Sequence, residues 1–147
     1  MKGRQGFYIN LSASNLVSIC VDQSVDGDIS GRLYHCYTEE PVPFSNAVQL
    51  LIRMEELYDG LSFPQASTRS RRFVQRQQPA HSFQKVRDQR SLLAFRGKRA
   101  TFVTSVHYRQ NSAWQGDVAW MEQEQKESFL STLEFLKLIN HGVEQTK

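Results

Sequence analysis

An internal repeat constrains this chain more than any single motif does. Gly31 to Phe44 fits Gly116 to Phe129 without a gap, and the same offset of 85 positions pairs Val17, Ile19 and Val21 with Phe102, Thr104 and Val106. A repeat fixes the architecture before individual residues are weighed. A run of period-two apolar positions at Phe7, Ile9 and Leu11 predicts a first strand, and Leu16 to Gln23 a second. Asp26-Gly27 carries the chemistry of a tight hairpin turn. A third strand is expected over about Ile29 to Glu39, ended by Pro41 and Pro43, since proline cannot donate to a ladder.

Each copy then closes with an amphipathic helix. The first helix presents Phe44, Ala47, Val48, Leu51, Met54 and Tyr58 at helical spacing, and the second presents Phe129, Leu133, Leu136, Ile139 and Val143. Capping boxes recur in register, Asn46 with Gln49 and Ser131 with Glu134. The expected fold is therefore α+β: two tandem β-β-β-α copies, each helix on its own antiparallel sheet. The expected divisions are residues 1–62 for the first copy, 63–90 for a connecting segment and 91–147 for the second copy. Units of about 60 residues are marginal alone, so the copies should pack together.

The overall charge of +3 hides a strong segregation. Residues 1–62 hold four cations and eight acids, a net −4; residues 63–99 hold ten cations and one acid, a net +9; residues 100–147 hold four and six, a net −2. The cations of the joint are Arg69, Arg71, Arg72, Arg76, Lys85, Arg87, Arg90, Arg96, Lys98 and Arg99, with Phe73, Phe83 and Phe95 interleaved. Guanidinium groups grip phosphate bidentately and aromatic rings stack on bases, so nucleic acid or a nucleoprotein machine is the natural partner. A solvated linker, or a strap across the chain's own acidic surfaces, is the plainer alternative. Tyr108, Arg109 and Trp114 form a second candidate surface at a hairpin tip, with Trp114 folded onto a helix as the alternative.

Other chemistries find little purchase. Asp22 to Asp28 imitates the start of a calcium loop, but position twelve is Leu33 where a bidentate Glu is needed. His35, His81, His107 and His141 follow no ligand spacing, and no metal or cofactor is expected. No nucleophile elbow or phosphate loop is present, so a catalytic role has no positive support. Cys20 and Cys36 are expected as reduced structural thiols. No apolar run approaches the roughly 18 residues of a membrane span, and a cytoplasmic protein is expected.

Ala100-Thr-Phe-Val, Tyr108-Arg-Gln-Asn followed by Trp114-Gln-Gly, and Phe129-x-Ser131-x-Leu133-Glu-Phe-x-Lys-Leu-Ile together resemble a pattern in small uncharacterised proteins of bacterial mobile elements. Pro64-Gln-Ala-Ser and Arg71-Arg-Phe resemble the same group. That resemblance implies a non-enzymatic protein of a mobile element or phage, engaging nucleic acid or inhibiting a host defence nuclease of CRISPR type. The strand-helix repeat is also similar to PUR and PC4-like single-strand-binding proteins. A homo-oligomeric adaptor, its basic segment crossing another copy's Glu39, Glu40, Glu55, Glu56 and Asp59, is the alternative from a different class.

Overall fold

The computed structural model describes residues 9, 11–61, 84–110 and 113–145. Strands β1 (Val17–Val25), β2 (Asp28–Tyr34) and β3 (Val42–Phe44) lead into helix α1 (Ala47–Leu61). Strands β4 (Ala100–Gln110), β5 (Ala113–Trp120) and β6 (Gln125–Phe129) lead into helix α2 (Thr132–Gln145). All six strands form one antiparallel sheet in the order β3-β2-β1-β4-β5-β6.

The expectation of two separate sheets is thereby overturned. β1 and β4 are the central pair, and both are buried over their first residues, Val17 to Val21 and Ala100 to Val106. A strand covered on both faces that ended its own sheet would expose a row of unpaired backbone groups; joining the halves removes two such edges at once. The register records the repeat nevertheless. Ser18 lies opposite Val103, its own counterpart at the 85-residue offset, so an approximate two-fold axis passes through that pair. Val21 opposite Gly31 recurs as Val106 opposite Gly116, and Gly31 opposite Phe44 as Gly116 opposite Phe129. Even the β-bulges match: the register slips at Asp22 in one half and at His107 in the other.

Both helices lie on one face, over a core that includes Ile19, Leu33, Phe44, Phe102, Trp114 and Phe129. The faces they bury differ from the expected ones by a rotation. α1 buries Leu50, Met54, Leu57 and Tyr58, and α2 buries the four counterparts Phe135, Ile139, Gly142 and Val143. Val48 and Leu133, expected in the core, are exposed, while Leu51 and Leu136 are only partly buried. The two helices nevertheless begin with the matching caps that the sequence predicts. Asn46 Oδ1 accepts the Gln49 N–H and Gln49 returns to the Ser45 N–H; Ser131 Oγ accepts the Glu134 N–H and Glu134 returns to the Leu130 N–H.

Two strand expectations also change. The third strand is not Ile29 to Glu39: β2 ends at Tyr34, and β3 runs through Pro43. A proline is tolerated there because β3 is a sheet edge, where a missing N–H costs no ladder bond. Leu11 lies in a turn and Phe7 lies outside the described residues. The Asp26-Gly27 turn adopts the positive φ values its chemistry demands, 54° and 80°. Among the described residues, no helix is long and apolar enough to cross a membrane.

Candidate nucleic-acid interface

The opposite face of the sheet carries a second, smaller core of Leu16, Cys20, Tyr34, Cys36, Leu92 and Val103. Leu92 belongs to a short 3-10 helix, Gln89–Ala94, capped by Asp88, whose carboxylate accepts the Ser91 N–H at 3.0 Å. Residues 84–99 are thus seated on the sheet at a fully buried leucine. Both ends are tied down by backbone bonds: the Val86 N–H to the Cys36 carbonyl at 2.7 Å, and the Arg99 N–H to the Val21 carbonyl at 2.8 Å. Gly97 is required at the second tie, because a Cβ there would lie 2.5 Å from the Val21 nitrogen.

Arg32 fastens the middle of this layer. Its guanidinium grips Asp22 through two 2.9 Å bonds and reaches the Arg96 carbonyl at 3.0 Å. The Lys98 N–H adds a third donor to Asp22, and these bonds, that of Arg32 foremost, hold the Asp22 carboxyl below the usual aspartate range. Arg32 also lies over the Tyr34 ring, Tyr34 stacks on Phe95 at 3.7 Å between ring centres, and Arg87 lies over Phe95 at 5.1 Å. Phe95, expected to stack on a base, is therefore spent on this internal ladder.

Four of the described cations of the segment are held by neutral groups. Arg87 donates to the Thr38 and Glu39 carbonyls, Arg96 to those of Leu93 and Phe95, and Arg99 to that of Val143. The Lys85 amine bonds the Gln89 side chain. Among the described residues, none of Lys85, Arg87, Arg90, Arg96, Lys98 and Arg99 is paired with a carboxylate. Lys85, Arg90, Arg96 and Lys98 are exposed. The result is a positive surface seated on the sheet. Arg69, Arg71, Arg72 and Arg76 lie outside the described residues.

The expected hairpin-tip surface takes a different form. Trp114 is 1% exposed and Arg109 3%, so neither presents itself to a partner. Trp114 Nε1 donates to Glu55 at 2.8 Å, and Arg109 donates to Glu55 and Asp59 at 2.6 and 3.0 Å. The Tyr58 ring sits edge-on to Trp114 and under the Arg109 guanidinium. Glu55 and Asp59, expected as an acidic docking patch, here bind α1 to β4 and β5. Tyr108 remains exposed.

The acids of the calcium-like stretch are also consumed structurally, Asp22 by Arg32 and Asp28 by the Ala47 and Ile29 N–H groups. Among the described residues, no three His, Cys, Asp or Glu side chains are grouped to hold a metal. Both cysteines are buried and unbridged, and burial raises their thiol pKa values. Sequence reasoning missed Arg32 and Tyr34. Arg32 was the only cation in an otherwise acidic strand pair, and its counterpart is Asp117, which bonds the bulge residue His107 at 3.1 Å. The two halves thus carry the same bulge-to-strand side-chain contact, with the acid on opposite partners. No family model matches the chain, and no curated protein or solved structure matches it either.

Proposed function

We propose that this chain is a non-enzymatic nucleic-acid-binding protein whose folded binding surface is the 84–98 layer on the sheet. One observation carries this reading: Lys85, Arg87 and Arg96 are positioned by backbone carbonyls and an amide, and among the described residues no cation of the layer stands within ion-pair distance of a carboxylate. A strap serving only to neutralise the chain's own acidic halves would put those cations on carboxylates such as that of Glu39. Instead Arg87 takes the Glu39 carbonyl, and Asp88 caps a helix. An uncompensated row of this kind gains most from a polyanion, through release of its condensed counterions. Arg69, Arg71, Arg72 and Arg76 add four cations to the same segment of sequence.

The test is anisotropy with a labelled single strand of about 20 nucleotides, titrated over a series of salt concentrations. Affinity should fall linearly on a log–log plot against salt. Changing Lys85, Arg90 and Lys98 together to Gln removes no bond to the backbone and should flatten the slope by about 0.7 for each phosphate that is no longer neutralised. No binding at low salt, or an unchanged slope in the triple variant, would remove this surface from the account.

A further inference from the structure

A cleft of about 350 Å³ opens between the end of β2 and the middle of α1, lined by Leu33, His35, Thr38, Val42, Arg53 and Glu56 among others. It lies outside the basic layer, and nothing in the nucleic-acid reading uses it. Its volume falls at the lower end of the range for small-molecule sites, and its floor is apolar. Its polar groups are mostly donors. Among the described residues, Arg53 Nε is buried without a hydrogen-bond partner, and the side chain's one carboxylate neighbour in reach, Glu56, stands at a long 3.5 Å. His35 Nδ1 accepts the Tyr37 N–H, which leaves the neutral ring its proton on Nε2. Thr38 Oγ1 accepts the Glu40 N–H, which leaves the hydroxyl hydrogen to donate elsewhere.

The approximate two-fold supplies an internal comparison. A smaller cleft of about 110 Å³ sits on α2, lined by Val118, Glu127, Leu138 and His141, the counterparts of Leu33, Val42, Arg53 and Glu56. The architecture makes a recess at this place in each half, and only the first half puts a guanidinium in it. A buried donor nitrogen without a partner costs free energy that a ligand's acceptor would return, and the Arg53 side chain as a whole is 35% exposed and so within reach of one.

We propose that the Arg53 cleft binds a small organic anion: a carboxylate taken by Arg53, with His35 and Thr38 as further donors, carried on an apolar body that covers Leu33 and Val42. Phenylacetate is a suitable probe and phenylacetamide its uncharged counterpart. In ¹H–¹⁵N spectra of the full chain, phenylacetate should produce saturable shifts at the Arg53 Nε–H and the Thr38 amide, with the amide probe weaker by about tenfold or more. Arg53→Leu copies the residue that the second half already tolerates, and Arg53→Gln is a second variant should the first unfold. Each should lose about tenfold in phenylacetate affinity while oligonucleotide binding stays as it was. Equal binding of the amide probe, unchanged affinity in a folded Arg53 variant, or shifts confined to residues 84–98 would overturn the proposal.

Discussion

Glu55 is the residue on which the two halves most visibly depend. One carboxylate serves the Trp114 indole and the buried Arg109 guanidinium, so removing it strands the indole N–H and leaves Arg109 to Asp59. Glu55→Ala should cost about 1–3 kcal/mol in urea unfolding at neutral pH, and Glu55→Gln clearly less, since the amide oxygen still accepts. Equal destabilisation by both variants would mean that the side chain acts by packing alone. His35 supplies a pH-dependent contribution of its own. Burial, with a smaller push from Arg87, lowers its pKa from 6.5 to about 4, so between those values the unfolded chain takes up a proton that the folded chain refuses. Stability is therefore full above pH 6.5, declines as pH falls toward 4, and changes no further on account of this residue below that. His35→Gln should flatten the urea midpoint between pH 7 and 4.5, whereas the aspartates Asp22 and Asp117, whose folded pKa values are lowered, act at lower pH still.

The buried faces of the helices and the glycines opposite them decide how the elements fit. Leu50→Ala and Phe135→Ala should each cost about 2–5 kcal/mol, while Val48→Ala and Leu133→Ala, on exposed counterparts, should stay within about 0.5. Gly142→Ala would ordinarily strengthen a helix by about 1 kcal/mol, but here its Cβ would lie 2.6 Å from Phe102 Cζ. It should destabilise, and Phe102→Val, which restores the smaller residue found at the counterpart Val17, should rescue it in thermal melts. Gly31 and Gly116 allow no such rescue: a Cβ at either would meet a backbone oxygen, that of Cys20 at 2.0 Å or of Ser105 at 2.1 Å. Much of this was legible in sequence. The helices, their caps, the hairpin turn and the offset all follow from local chemistry. The rotation of the helix faces did not, because Val48 and Leu51 satisfy helical spacing as well as Leu50 and Leu57 do. Nor did β3, since a three-residue edge strand containing proline leaves no periodic trace.

One sheet in place of two is the largest departure from what the sequence led us to expect, although its signal was present in the chain. Val17-Ser-Ile-Cys-Val and Ala100-Thr-Phe-Val-Thr-Ser-Val carry no charged residue, and only small hydroxyls and a thiol interrupt their apolar positions, which suits strands covered on both faces and hence central in a sheet. Pairing those two runs makes the halves parts of a single core, whose cluster runs from Leu33 and Leu50 through Ile19 and Phe102 to Phe135. Charge segregation was legible as a surface property, but Arg87, Arg96 and Arg99 turn out to fasten the layer as well as charge it, and carbonyl partners leave no mark in a sequence. The single core has a consequence that separate domains would not share. Both tryptophans, Trp114 and Trp120, lie on β5 in the second half of the chain, whereas Leu50 belongs to α1 in the first. If the molecule unfolds as one unit, Leu50→Ala must lower the midpoint reported by tryptophan fluorescence as much as the midpoint reported by far-ultraviolet circular dichroism. Phe135→Ala, in the other half, should likewise move both probes together. Two independently folding copies would behave otherwise: Leu50→Ala would split the circular dichroism transition and leave the fluorescence midpoint in place.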